Sequence, residues 1–372
     1  MVVFSIAAVA AFCGLVARKS RFFSVVLIGL MLIIGLGNTG NADFPMFFTQ
    51  YNNPALWKFY GASEHGYQFL MTVFRHFSLP FIDYRNFLLL IGIILVVLTV
   101  MDITESVSAV LALFFFVPFI INITQYRFFF ASAICLFASR FLLKDKKYGI
   151  PIYIVAVIVA GLFHTSTLYY MFFVVIRFLN EKHLKYCAVG GTFFALLLIP
   201  TGVMRKLLQS MTTEEKASAY FGKSQSLGVV LAWLLVLCMV LFIEYSLSSR
   251  GYTSQANEAA FNAGTLDRQS KKIAYLELIR RMNYLCLPIL ILLFFDVPSC
   301  YRLFRGLLYM EYAAFFVAQY ELKPLNMNHD DRERLMLSFG LVALCGVNFW
   351  ALTTMHTIDM WFYPILEQNM FW

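Results

Sequence analysis

Four basic side chains interrupt the most apolar stretches of the chain. These are Arg127 in NITQYRFFFASA, His164 in AGLFHTSTLYY, and Arg302 with Arg305 at the head of a late apolar segment. Ionisable groups at membrane depth are costly, which makes each a candidate functional position. An arginine keeps its proton there and presents a fork matched to phosphate oxygens. Arg302 and Arg305 share a helix face at i, i+3, and two guanidiniums so placed repel unless an anion or a carboxylate lies between them. Asp296 and Glu311 are the acids nearest in sequence, and a diphosphate suits the pair better. His164 suits a base, or a donor to a phosphate or a sugar. Each residue also has a plain structural reading: snorkelling for the arginines and a satisfied core group for the histidine.

Two carboxylates, Asp43 and Glu64, lie in the polar stretch that also holds Tyr51, Tyr60 and Tyr67. A carboxylate at an apolar boundary acquires a raised pKa and becomes a candidate general base for a hydroxyl nucleophile. Pairing with Arg75 or Arg85 is the structural alternative. The tail carries His356, Asp359, Trp361 and Tyr363, and such aromatics anchor at an interface or stack on sugar rings.

These residues are positioned by membrane helices. Of the 372 residues, 60% are hydrophobic and 13% charged, against about 25% charged in ordinary soluble domains. Apolar runs long enough to cross a hydrocarbon core recur from end to end. Lipid-facing backbone must satisfy its own hydrogen bonds, so the expected fold is an all-α polytopic membrane protein, a single integral-membrane domain over 1–372. The apolar stretch Val2–Val16 precedes its positive charges, the reverse of a signal peptide, and reads as a retained helix. The seven cysteines stand singly, with neither a disulfide framework nor a zinc spacing.

Loop charge sets the topology, because cytoplasmic loops are rich in Lys and Arg. Arg18/Lys19/Arg21, Lys144–Lys147, Arg177–Lys185, Arg250–Lys272 and Lys323–Arg334 mark five inside loops. Membrane segments near 2–17, 22–37, 86–101, 106–122, 126–143, 148–163, 165–179, 185–200, 227–247, 274–296, 301–320 and 335–353 satisfy all five without exception. The expectation is therefore about 12 transmembrane helices (range 10–14) with amphipathic outer-loop segments. The larger outer loops are 38–85 and 201–226, and 248–273 is a flexible cytoplasmic loop. Gly66–Phe77 reads as a short interfacial helix. The segments 150–163 and 165–178 are short for a crossing, and suggest helices meeting at a turn beside His164. All four basic residues fall at the outer level. Arg280 and Arg281, nearer the inside, read as orienting charges, and the net charge of +8 reads as orientation with no nucleic-acid partner.

Several function classes find no support. The chain has no Gly-x-x-x-x-Gly-Lys-Ser/Thr loop, no acidic pair in its inside loops for a metal and nucleotide sugar, and no His-Glu-x-x-His helix.

The order of the motifs resembles the EpsG-like, Wzy-type polysaccharide polymerases. Asp43 is followed by Phe44, Phe47 and Tyr51, and a Glu-x-Gly-Tyr stretch spans Glu64 to Tyr67. Arg127 and Ala131 begin a middle helix, His164 and Ser166 form a His-x-Ser, and Tyr301-Arg302 and Tyr363-Pro364 complete the series. The family often has Gln directly after the arginine. This chain has Phe128 there and places Gln125 before it. The resemblance implies a glycosyltransferase at the outer face of the cytoplasmic (inner) membrane. It joins repeat units carried on undecaprenyl diphosphate, whether for O-antigen, capsule or exopolysaccharide, and needs no cofactor or metal. The implied roles are catalytic for His164, Asp43 and Glu64, diphosphate binding for Arg127, Arg302 and Arg305, and glycan binding for Tyr67 and Tyr363. A lipid-linked oligosaccharide, the bilayer, a flippase and a chain-length regulator are the implied partners. The alternatives are a polyprenyl-phosphosugar-dependent glycosyltransferase using Asp43, and a lipid-linked oligosaccharide flippase or other transporter.

Overall fold

A computed structural model describes residues 2–41, 43–58, 64–144, 146–198, 227–249, 261, 268–292, 298–322, 331–354 and 362–371. Among these the backbone is helical throughout, apart from connecting turns and a single isolated bridge between Asn38 and Asn369. The expected outer loop 201–226 and most of 248–273 lie outside the described residues, as do Tyr60, Asp296, His356, Asp359 and Trp361.

Each segment expected to cross the membrane overlaps a described helix, with residues 199–200 and 293–296 of two of them outside the described residues. The first five helices are α1 (Val2–Val16), α2 (Arg21–Gly37), α3 (Phe44–Asn52), α4 (His65–His76) and α5 (Phe81–Ile103). Next come α6 (Val107–Phe114), continued through a π turn into α7 (Ile120–Thr124), then α8 (Tyr126–Ala138), α9 (Lys146–Gly161) and α10 (Glu181–Leu198). The chain closes with α11 (Leu227–Ser249), α12 (Arg268–Leu292), α13 (Pro298–Gly306), α14 (Leu308–Phe316), α15 (Asp331–Thr354) and α16 (Tyr363–Glu367). Four described stretches are long and apolar enough to cross a bilayer: Phe81–Ile103, Val107–Thr124, Tyr126–Leu143 and Asp331–Ala351. Val3–Val16, Arg21–Gly37, Lys147–Gly161 and Leu234–Ser249 are shorter apolar helices.

The helix α6–α7 is kinked at Pro118, whose ring cannot continue the ladder. The Val117 carbonyl next to the kink accepts a bond from Tyr312 Oη at 3.1 Å, so the break is satisfied by a neighbouring helix.

The two short segments flanking His164 resolve differently from two ordinary helices. After α9, Thr165–Arg177 forms a 13-residue 3-10 helix that packs antiparallel against α9. At a rise of ~2.0 Å per residue, 13 residues reach about 26 Å, where an α-helix of that length reaches about 20 Å. The extra length compensates for the short sequence. Tyr hydroxyls tie this helix to its neighbours, with Tyr153 Oη donating to Tyr170 O at 2.8 Å and Tyr170 Oη to Leu303 O at 2.7 Å.

Two groups of long-range polar contacts lie toward opposite ends of the described helices. One holds Arg85 against the carbonyls of Gly35, Leu36 and Asn38, Thr39 against Gln368, Glu64 against Arg127, and Gln125 against Arg305. The other joins Lys19 to Glu105, Lys271 to Asp102, Lys272 to Glu321, and Arg18 to the Tyr320 ring. Arg85 and Asp102 lie on the same helix, so the layers are about 26 Å apart by helical rise. Each contact joins groups that the loop charges assign to the same side.

Candidate functional site

The site is built where the upper ends of α3, α4, α8 and α13 meet. Arg127 is the second residue of α8 and its Nη1 lies 2.5 Å from Glu64 Oε2. The pair is mostly buried, with 18% and 6% side-chain exposure. Rings from two helices flank the guanidinium: its carbon lies 4.6 Å from the Phe47 centroid on α3 and 4.7 Å from the Tyr67 centroid on α4. An arginine clamped by cation–π contacts loses the freedom to snorkel, which disposes of the plain reading for Arg127.

Glu64 and Tyr67 reach Arg127 because α4 is anchored at its first turn. The Gly66 and Tyr67 amides both donate to Leu162 O, at 3.0 and 3.1 Å. A Cβ on Gly66 would stand 2.7 Å from the Leu162 Cβ, closer than the contact allows. The glycine of Glu-x-Gly-Tyr therefore permits α4 to dock on the turn that leads into His-x-Ser. His164 caps the 3-10 helix, its Nδ1 lies 2.8 Å from Ser166 Oγ, and its ring meets the Phe128 edge with centroids 5.4 Å apart. The serine thus fixes the histidine ring.

Asp43 sits at the head of α3, with its amide held by Asn41 Oδ1 at 3.1 Å. Asn41 is bonded in turn to Asn38, whose carbonyl Arg85 grips. Burial raises the Asp43 carboxyl above its ordinary value, while Arg302 and then Arg127 pull it back down. Both arginines therefore bear on this one carboxylate. The acid whose charge Arg302 influences is thus far away in sequence. Glu311, expected as a local partner, is instead buried near Asn283 on α12. Arg305 is 2% exposed and its Nη2 donates to Gln125 Oε1 at 2.6 Å. The Gln displaced in sequence from its usual place after the arginine thus serves another arginine of the cluster.

The sequence profile of the EpsG family matches residues 21–365, a span that includes every candidate site residue. The chain belongs to the EpsG family. No curated protein and no solved structure matches it. EpsG membership points to polysaccharide-polymerase chemistry in a membrane protein.

Within this EpsG chain the two tyrosines expected to bind glycan occupy different settings. Tyr67 is 2% exposed, its ring lies against Arg127, and its hydroxyl shares a 2.8 Å hydrogen bond with Tyr126. In this arrangement the ring supports the guanidinium. Tyr363 begins α16 and packs beside Phe362, which contacts Phe4 and Phe349. That corner, tied to Asn38 through Pro364 O, shares the layer of the arginine cluster but lies on other helices.

Two features escape the sequence reading. Arg85 pairs with neither Asp43 nor Glu64. It caps the last carbonyls of α2, a favourable place for a cation at a helix C-terminus. Arg280 and Arg281 are not loop-orienting charges but 5% and 2% exposed, paired with Glu244 and Glu277. Buried charge therefore occupies a second level, and does not gather only around the upper cluster. Arg281 Nη1 also donates to Ile176 O and Leu179 O, closing the end of the 3-10 helix. The i, i+4 spacing of Glu277 and Arg281 was the available signal.

Proposed function

We propose that this protein is a glycan polymerase acting at the outer face of the cytoplasmic membrane, spanning it about twelve times. It transfers a growing chain from undecaprenyl diphosphate to a sugar hydroxyl of an incoming lipid-linked repeat unit. The new glycosidic bond forms at the donor's anomeric carbon, the bond to the diphosphate breaks, and lipid diphosphate leaves. Arg127, Arg302 and Arg305 neutralise the leaving group without a metal, as pre-aligned charge does in a water-poor site. Asp43, Glu64 and His164 are the candidate bases for the acceptor hydroxyl. A flippase delivering units and a regulator of chain length are the natural partners.

The observation that carries this reading is the buried Glu64–Arg127 pair held between the Phe47 and Tyr67 rings, in a chain matched by the EpsG profile. Deleting the gene and analysing lipid-linked glycans tests it. Single repeat units accumulate on lipid if the protein polymerises. Loss of all outward-facing lipid-linked repeats indicates a flippase, and unaltered glycans rule out both.

Asp43 gives the polyprenyl-phosphosugar transferase reading some support, because burial raises a carboxyl toward the range of a working base. If Asp43→Asn abolishes activity while His164→Ala spares it, that reading gains. The lower charge pairs Glu244–Arg280 and Glu277–Arg281 bear on transport. They neutralise one another and close helix ends, which fits structural pairing better than an open path.

A further inference from the structure

The resting site holds its own anions. Glu64 Oε2 is 2.5 Å from Arg127 Nη1 and is buried with it. The carboxylate does not cap α4, although Glu64 stands at the N-cap position where acidic side chains usually bond the first amides. Its side chain is turned to the arginine instead. Arg127 is the fixed partner, clamped between the Phe47 and Tyr67 rings. Tyr67 is itself locked through Tyr126 and the Leu162 carbonyl. Glu64 precedes α4 with a non-helical backbone, so its side chain can turn away without unwinding the helix.

We infer that the donor's diphosphate takes Arg127 from Glu64, and that the released Glu64 is the base for the acceptor hydroxyl. The inference rests on the diphosphate-transfer reading above and selects one base from its three candidates. A lipid-linked diphosphate brings two negative charges and parallel oxygens to a guanidinium fork, against the single charge of a carboxylate. Exchange therefore runs toward the ligand. Once displaced, Glu64 has both carboxylate oxygens available to accept the hydroxyl's proton. The acceptor hydroxyl's proton passes to Glu64 as its oxygen bonds to the anomeric carbon. The diphosphate departs with the electron pair of the broken bond, onto the arginine it already occupies. Base and leaving-group site are thereby armed by one event, and an acceptor that arrives first meets no free base. His164 is held by Ser166 and Phe128 and orients the turn on which α4 docks.

Farnesyl diphosphate binding to the purified full-length protein in detergent reads the exchange without turnover. Glu64→Gln removes the competing charge, so it binds the probe about tenfold more tightly than wild type, while transfer collapses. Glu64→Asp keeps the charge but shortens the reach to Arg127. It binds about threefold more tightly and carries the test if the Gln variant fails to fold. Donor KM and kcat fall together in both variants, whereas simple structural damage to the site lowers kcat and raises KM. Equal or weaker probe binding by the variants, with wild type binding normally, overturns the exchange and leaves the polymerase reading standing. A wild type that does not bind the probe overturns both.

Discussion

Arg127 is held on three sides, by Phe47, Tyr67 and Glu64, and its neighbours' burial sets what its loss costs. Arg127→Ala strands a carboxylate that is 6% exposed, so it destabilises the protein by about 3 kcal/mol, the usual scale for breaking a buried pair. Adding Glu64→Gln to that variant removes the stranded charge and recovers much of the loss. Thermal unfolding of the two variants in detergent checks this; equal stability of single and double variants contradicts it. At this scale the sequence announced the cost of each arginine but not its partner. A charge in an apolar run is visible in one dimension. That Arg127 pairs with Glu64 and Arg305 with Gln125 depends on how α4, α8 and α13 are placed, which no local pattern encodes. Arg85 is the clearest case: a carboxylate partner was the natural expectation, and three backbone carbonyls proved the stronger attraction.

Helix α4 is the element that brings two motifs together, and its register depends on one missing side chain. Gly66→Ala sets a methyl 2.7 Å from Leu162 Cβ and lifts the first turn off the Leu162 carbonyl. The expected outcome is a folded protein with at least tenfold lower polymer output, since Glu64 and Tyr67 shift by a few tenths of an ångström or more. Glycan output in cells, normalised to membrane protein, reads it, and wild-type output from Gly66→Ala contradicts the docking role. The amphipathic character of Gly66–Phe77 was legible, and the structure buries Tyr67 and Met71 of that helix at i, i+4. The 3-10 helix was not. Its residues have ordinary apolar periodicity, and the 3-10 winding lengthens the segment between His164 and Arg177 without added residues. Gly306 shows the same dependence on context, since a Cβ there would meet the Tyr170 hydroxyl at 2.6 Å.

Across the whole molecule, two polar layers about 26 Å apart hold the helix ends. The lower one makes a pH prediction. Hydrogen bonds from Lys19 and Lys272 hold the Glu105 carboxyl at about 2, below its ordinary 4.5. A depressed folded-state pKa contributes stability that is complete above pH 4.5 and is lost as pH falls toward 2. Wild type therefore melts above Glu105→Gln at pH 6, and the gap shrinks at pH 3. A gap that persists unchanged at pH 3 contradicts the assignment. Loop charge alone foretold this layering, because Lys/Arg asymmetry is a one-dimensional signal. The lower pairs Glu244–Arg280 and Glu277–Arg281 stayed hidden because loop charge does not tell which acid a basic residue meets. The upper layer carries the central claim, that its arginine–carboxylate cluster joins lipid-linked repeat units. Purified protein reconstituted into proteoliposomes with a synthetic lipid-diphosphate-linked repeat unit tests that claim most directly. Wild type should yield a ladder of oligomers on lipid with release of lipid diphosphate, and Arg127→Ala only the starting unit. No ladder from wild type, or a full ladder from Arg127→Ala, would contradict it.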